Sequence, residues 1–412
     1  MPAAHHTPVT DIRNAGHTTS ALKILTFTTL YPNSVKPHHG VFVETRLRHL
    51  VASGAVQSLV VAPVPWFPSA HAVFGRYGGN ARVARREQRH GLTVLHPRYP
   101  VIPKIGMILA PFLLAVAMLP VVRRILAEGY DFDLIDAHYF YPDGVAAVML
   151  ARHFGKSVVV TARGTDINLI PQYRWPRQLI LWAASRATGI IAVSRALKQA
   201  LVQMAVTEEK ITVLRNGVDL QLFQPMDRAA ARRRLGLSRT TLLSVGNLIR
   251  SKGHDVAIEA LVDLPDVELL IVGEGEDGPA LGSLAQALGV GDRVRFIGRV
   301  RQQDLKAYYA AADALVLPSV REGWTNVLLE SMACGTPVIA NRVGGTPEIV
   351  QRPEAGLLVE ERTPQAFARA VQQLMANYPD RRATRAYAEQ FDWDETTQGQ
   401  MTLFQRLCRH NP

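Results

Sequence analysis

Two carboxylates, Glu322 and Glu330, bracket the run Glu322-Gly-Trp-Thr-Asn-Val-Leu-Leu-Glu330. Thr325 or Asn326 can cap a helix that turns Val327, Leu328, Met332 and Ala333 inward. Glu322 then lies on a flexible approach and Glu330 on a rigid element. Both can accept hydrogen bonds from the hydroxyls of a sugar, while the free N–H groups of the helix N-terminus face a phosphate. A second cluster is Ser244-Val-Gly-Asn-Leu-Ile-Arg-Ser-Lys-Gly253, which sets Lys252 just before a glycine and a helix start, with Arg250 close by. When a bond to a diphosphate breaks, negative charge grows on the leaving group, and a fixed cation aimed at it lowers the barrier. Taken one at a time these residues are also a solvated helix cap and a solvated basic loop. The company of Gly323, Asn326, Ala333-Cys-Gly335 and Thr336-Pro-Val-Ile-Ala340 favours a site.

The elements that must position them read as alternating strands and helices. Residues 314–317 form a short apolar run ending at Pro318, Gly335 ends the following helix, and 337–340 is the next strand. Further strands are expected at 23–27, 57–62, 92–95, 134–137, 157–161, 189–193 and 211–214, and a second series at 242–245, 269–272, 294–297 and 357–359. This order implies parallel sheets with helices on both faces, and ligands collect at the carboxyl ends of such strands. Residues 63–91 read as loop with a short basic helix carrying Arg82, Arg85, Arg86 and Arg89, and 226–240 as an Arg-rich helix or linker. Residues 105–122 are apolar but interrupted by Pro111 and Pro120, which suits a buried or interfacial helix ending in Arg123 and Arg124 better than a membrane span.

The chain has 412 residues, enough for two or three domains. Two cysteines, Cys334 and Cys408, exclude a disulfide framework and a cysteine zinc cluster, and suit a cytoplasmic protein. Residues 1–20 read as a disordered arm with no signal peptide evident. The net charge of +11 is lopsided: through Leu220 there are 24 Lys and Arg against 12 Asp and Glu, and beyond it 22 against 23. A basic first half fits peripheral contact with an anionic membrane at its inner face or an anionic lipid carrier. No basic helix studded with aromatics and no finger pattern supports nucleic acid.

The Glu322–Glu330 run resembles the paired-glutamate element of retaining glycosyltransferases of family 4, the "glycosyl transferases group 1" type. The likeness extends over nearly the whole chain from about residue 23, with its sharp motifs in 244–345. It implies an α/β, GT-B fold: two Rossmann-like, doubly wound parallel-sheet domains facing a cleft. Residues 21–220 would form the acceptor domain and 221–390 the nucleotide-sugar domain, with 391–412 a helix crossing back. Arg215-Asn-Gly-Val-Asp219 and Phe223-Gln-Pro225 resemble the family's hinge.

The resemblance assigns Glu322 to the donor sugar's hydroxyls and Glu330 to the ribose. It places Gly323, Thr325, Asn326, Val327 and Leu328 near the diphosphate, and Lys252 as its charge partner. Gly40, Gly246, Gly273 and Gly275 let backbone approach the donor, and Ile297 lies where relatives hold the nucleobase. Asn247 stands where many relatives have an arginine, so Arg250 is a candidate for the missing charge. Arg163 stands where many relatives have a histidine, which leaves His138 as the remaining histidine candidate and Asp166 for an acceptor hydroxyl. The implied reaction is retaining transfer from a nucleoside-diphosphate sugar to a glycan or lipid-linked acceptor in cell-surface polysaccharide assembly, with no metal and no cofactor. A nucleotide-sugar epimerase of the same shape and a non-catalytic sugar-nucleotide or polyanion-binding protein are the alternatives.

Overall fold

Sixteen strands are described in the computed structural model, which covers residues 21–409 apart from 72, 74 and 103–105. The arm at 1–20 and the start of the apolar run at Ile105 lie outside the described residues. In the first half the strands are β1 (Leu22–Phe27), β2 (Val56–Val61), β3 (Val64–Pro65), β4 (Arg86–Arg89), β5 (Leu92–Leu95), β6 (Arg98–Tyr99), β7 (Leu134–His138), β8 (Ser157–Ala162), β9 (Gly189–Ala192) and β10 (Ile211–Val213). Eight of them form one sheet in the order β10-β9-β8-β7-β1-β2-β5-β4, and β3 pairs with β6 alone. All pairings are parallel except β4 with β5. The second half contributes β11 (Thr240–Val245), β12 (Val267–Val272), β13 (Val294–Gly298), β14 (Ala314–Leu317), β15 (Val338–Asn341) and β16 (Gly356–Val359), an all-parallel sheet ordered β13-β12-β11-β14-β15-β16.

Strands such as β8 are buried from end to end because helices cover both faces, so they are near-continuous apolar runs rather than alternating ones. Register aligns their carboxyl ends. Phe27 lies opposite both Val61 and Ala137, Val245 opposite Val272, and Leu317 opposite Ala340. The loops that follow β1, β7 and β8 therefore meet at one edge, and those after β11, β12 and β14 at the other sheet's corresponding edge.

The Arg-rich region differs in part from the sequence expectation, while the apolar run forms the helix expected of it. Within 63–91 a helix does form at Gly75–Arg82, but Arg86 and Arg89 lie on strand β4, antiparallel at the sheet edge, where Arg89 Nε donates to Glu44 Oε1 at 2.6 Å. The apolar run is one helix, Gly106–Ala127, that continues through Pro111 and Pro120. Among the described residues it is one helix long and apolar enough to cross a membrane by length and composition. One side, with Leu114, Met118, Val122 and Ile125, is packed into the first domain's core, while Met107, Ile108, Leu109, Phe112 and Val116 are exposed. The last helix, Asp394–Arg409, returns to the first sheet: Leu403 and Phe404 pack with Ile24, Val43 and Leu47.

Candidate functional site

The two carboxyl edges face each other across a cleft of about 1040 Å³. On the second domain's side the turn Arg250–Lys252 follows β11, and Lys252 Nζ reaches Glu322 Oε1 at 2.7 Å. Glu322 is not on a flexible approach. It is buried, its carbonyl accepts from Asn168 Nδ2 of the first domain at 3.3 Å, and the next residue is wedged between domains. A Cβ on Gly323 would sit 2.1 Å from the Arg163 carbonyl oxygen, so only glycine permits this approach. Gly273 is required for a similar reason, since its Cβ would lie 1.8 Å from the Gly246 carbonyl oxygen. Gly246, Asn247 and Gly273 line the cleft together with Lys252, Glu322 and Gly323.

Three expected donor residues are placed elsewhere. Arg250 is exposed and outside the cleft lining. Gly275 packs against the Leu248 backbone, and Ile297 is half-buried; neither lines the cleft. The cation that does line it beyond β13 is Arg299, paired with Glu274 at 2.8 Å.

Thr325 occupies the cap position of the Asn326–Ala333 helix, but its hydroxyl makes no cap bond and has no partner in the structure. The helix thus keeps its first amides free of any side-chain cap, the arrangement that suits an anion. Leu328 is fully buried, so only its backbone can serve such a site. Asn326, Val327 and Glu330 line a side cavity of about 190 Å³ that shares His38 and Phe42 with the main cleft. Glu330 Oε2 accepts from the Tyr309 hydroxyl at 2.7 Å. Burial raises the Glu330 carboxyl to about 7, against the pull of that hydrogen bond.

The first domain's side corrects two expectations. His138 is fully buried and does not line the cleft. Arg163 Nη2 lies 2.7 Å from its Nδ1, and a guanidinium can only donate, so Nδ1 accepts and the ring proton sits on Nε2, 3.3 Å from Asp136 Oδ2. Burial holds the ring's pKa below its usual value, with Asp136 opposing. Both nitrogens are committed, so His138 has none to offer a substrate. Asp166 is also fully buried, and its carboxylate accepts the backbone N–H groups of Phe140, Arg163 and Gly164 at 2.7–3.2 Å. It is a clamp on two loops and is closed to an acceptor hydroxyl.

Arg163 does line the cleft. Its Nη1 donates to Asn216 Oδ1 at 3.0 Å and its guanidinium stacks 5.2 Å above the Phe42 ring. Burial, with Arg46 adding to it, brings its pKa down to about 9. Asn216 Nδ2 continues the chain to Asn326 Oδ1 at 3.3 Å, and Gln400 of the last helix donates to Asp136 at 3.1 Å. Gly40 caps the Val41–Ala52 helix at the cleft.

Sequence reasoning passed over Phe42, Tyr139, Asn168, Asn216 and Arg299 as site residues. The signal for Tyr139 and Asn168 was their place directly after β7 and β8. The signal for Asn216 was its place in the hinge. Among the described residues there is no group of three or more His, Cys, Asp or Glu side chains that could hold a metal ion.

Residues 40–222 match the family described as "Glycosyltransferase Family 4", and residues 227–391 the family "Glycosyl transferases group 1". The putative teichuronic acid biosynthesis glycosyltransferase TuaC of Bacillus subtilis is 32% identical over 361 residues, covering 85% of this chain and 88% of that protein. A D-inositol 3-phosphate glycosyltransferase of Mycobacterium leprae is 37% identical over 211 residues, about half of each chain at 48% and 49%. Among solved structures, sucrose-phosphate synthase from Thermosynechococcus elongatus superposes with a TM-score of 0.78 at 22% identity, over 95% of this chain and 100% of that one. HepE of Anabaena in complex with UDP-glucose gives 0.71 at 21% identity, over 93% and 99%.

Proposed function

The chain belongs to glycosyltransferase family 4, with the GT-B fold, and is a glycosyltransferase; from that premise we propose retaining transfer of a hexose-like residue from a nucleoside-diphosphate sugar to a glycan or lipid-linked acceptor. The observation that carries this reading is the Lys252–Glu322 pair at 2.7 Å in the cleft wall, beside the close-packed glycines 246 and 273. With a donor in place, Lys252 turns its charge to the diphosphate and Glu322 takes hydrogen bonds from the sugar. Attack comes from the leaving-group side. The bond from the anomeric carbon to the phosphate oxygen breaks, the acceptor oxygen bonds on the same face, and the departing phosphate oxygen takes the acceptor's proton. This route needs no protein nucleophile, which agrees with both cleft acids, Glu274 and Glu322, being ion-paired. Lys252 and the uncapped Asn326–Ala333 helix supply the charge that a metal would otherwise bring.

HepE is recorded with UDP and with UDP-glucose, so UDP-sugars are the first donors to try, followed by GDP- and ADP-sugars. The name of the Bacillus relative supports a place in cell-surface polysaccharide assembly. Nucleoside-diphosphate release that rises with acceptor, and a product keeping the donor's anomeric configuration by NMR, is the expected result. Release without acceptor together with a changed free sugar favours an epimerase. Binding without turnover favours a non-catalytic sugar-nucleotide protein.

Contact with a membrane at its cytoplasmic face is part of the same proposal, because Gly106–Ala127 has an exposed apolar side and packs against the Arg174–Arg186 helix. Both helices run against the strands, so both begin at the cleft edge, where exposed Tyr173, Arg174, Trp175 and Arg177 add an aromatic and basic rim. Arg123 and Arg124 lie at the far end of the apolar helix. Reversible binding to anionic vesicles, weakening with salt, is expected. Equal, salt-independent partitioning onto neutral and anionic vesicles defeats the electrostatic part.

A further inference from the structure

Tyr139 has φ 81° and ψ 118°, left-handed backbone that a bulky side chain rarely adopts. Such a conformation costs about 1–3 kcal/mol and persists only where its surroundings over-determine it. Here both peptide groups flanking the Tyr139 Cα are held through all four of their polar atoms. The His138 carbonyl accepts from Thr28 Oγ1 at 3.1 Å and the Tyr139 N–H donates to Thr161 O at 2.9 Å. The Tyr139 carbonyl accepts from Gly144 N at 2.9 Å, and the Phe140 N–H donates to Asp166 Oδ2 at 2.8 Å. The result splits two neighbouring aromatics. Phe140 goes fully into the core, while Tyr139 is part-buried in the cleft wall with its hydroxyl toward Thr165.

The ring stands where an acceptor must lie. It is on the first domain's side, and the short Thr165–Asn168 helix beside it touches the loop bearing the candidate sugar-binding acid: Asn168 donates to the Glu322 carbonyl, and a Cβ on Gly164 would meet Gly323 Cα at 3.1 Å. An aromatic face carries partial negative charge and the C–H face of a pyranose partial positive charge, so the two stack, while Thr165 and Asn168 at the rim can meet hydroxyls. We infer that Tyr139 is the platform on which a pyranose ring of the acceptor stacks, and that Asp166 is the positioning residue that keeps it there by holding the Phe140 amide. This rests on the glycosyltransferase reading above.

The test uses the full chain, octyl glycosides of glucose, galactose, mannose and N-acetylglucosamine as acceptor probes, and UDP, GDP and ADP as nucleotide probes. At least one octyl pyranoside should bind, and Tyr139→Ala should weaken it by at least about tenfold, with Tyr139→Phe losing less and nucleotide affinity unchanged. Asp166→Asn leaves one acceptor oxygen for these backbone groups, so an amide N–H must face the Phe140 N–H or those of Arg163 and Gly164, and the clamp is broken either way. It should weaken pyranoside binding while sparing nucleotide binding. The strain has its own readout: Tyr139→Gly should melt higher than Tyr139→Ala, the reverse of the usual order, because only glycine accepts this φ. Wild-type pyranoside affinity in Tyr139→Ala overturns the platform, as does a wild type that binds a nucleotide but no pyranoside. Alanine melting above glycine overturns the strained positioning. A wild type that binds pyranosides but no nucleotide instead sinks the donor reading and leaves the platform standing.

Discussion

The two walls of the cleft handle charge in opposite ways. On the second domain's wall each acid has its cation at the pocket surface: Glu322 with Lys252, and Glu274 with Arg299. Lys252 keeps 26% of its side chain exposed, so it can exchange a carboxylate for a diphosphate without losing its solvation all at once. On the first domain's wall four ionisable groups form a buried network, of which Arg163 alone reaches the cleft lining. Asp136, His138, Arg163 and Asp166 are bonded to one another or to backbone, and removing one strands the others. One wall is built to change partners, the other to hold a shape. A variant on the second should therefore alter chemistry, and one on the first should alter geometry.

The sharpest break of that contrast is Lys252→Ala. Loss of one charge aimed at a leaving group should lower kcat/KM by about 10²–10³ and weaken nucleoside-diphosphate binding with it. Turnover at limiting donor is the measurement. A wild-type value would place Lys252 with the structural charges and erase the distinction between the walls.

Glu322→Gln sharpens it at smaller size. Losing a charged hydrogen bond to the donor sugar costs about 1.5–3 kcal/mol, so turnover should fall at least roughly tenfold. Nucleoside-diphosphate affinity should hold or rise, because Lys252 no longer has to leave a carboxylate partner. Since Glu322 is buried and paired, unlike a residue on a mobile loop, a stability loss of about 0.5–1 kcal/mol is also expected by melting. Turnover and diphosphate affinity collapsing together would make Glu322 a support for the diphosphate and not a reader of the sugar.

The same contrast explains what the sequence disclosed. The placement of Lys252 and Glu322 at the cleft, and of Asn326 at the head of its helix, was legible because each sits in a strand–loop–helix unit whose turn, cap and periodicity are local, and the alternation of strands and helices set out both sheets. The first domain's groups were misread because their meaning is non-local. Asp166 spends its oxygens on the Phe140 amide in another loop, and His138 is closed off by Asp136, which Gln400 reaches from 264 residues away. Arg250 shows the limit within a local motif: spacing put a cation near the site, but the turn points it outward. The apolar run was legible as a buried or interfacial helix despite Pro111 and Pro120, and burial of one side of Gly106–Ala127 outweighs the loss of their N–H bonds.

The smallest effect expected separates the walls by pH. Each domain buries one acid raised to about 7: Asp143 in the first, bonded by Thr28 and Thr29, and Glu330 in the second, bonded by Tyr309. An acid whose folded pKa lies above its unfolded value holds its proton in the native state after the unfolded chain has lost it. Stability is then lost as pH rises from about 4.5 to about 7 and levels off beyond. Buried histidines such as His138 and His254 are held below their usual pKa and push the other way below about 6.5, so the absolute melting curve mixes both signs. The difference between wild type and Glu330→Gln isolates one group, because glutamine keeps an acceptor for Tyr309 and cannot ionise. The two should run parallel below pH about 4.5. The variant should then gain on the wild type by about 1 kcal/mol toward pH 7, or roughly 2–4 °C in a domain of this size. Asp143 is untouched by that change, so the first domain keeps its own slope. A difference that stays flat across the range would mean that Glu330 is ionised in the native cleft at neutral pH, ready for a ribose hydroxyl without first losing a proton.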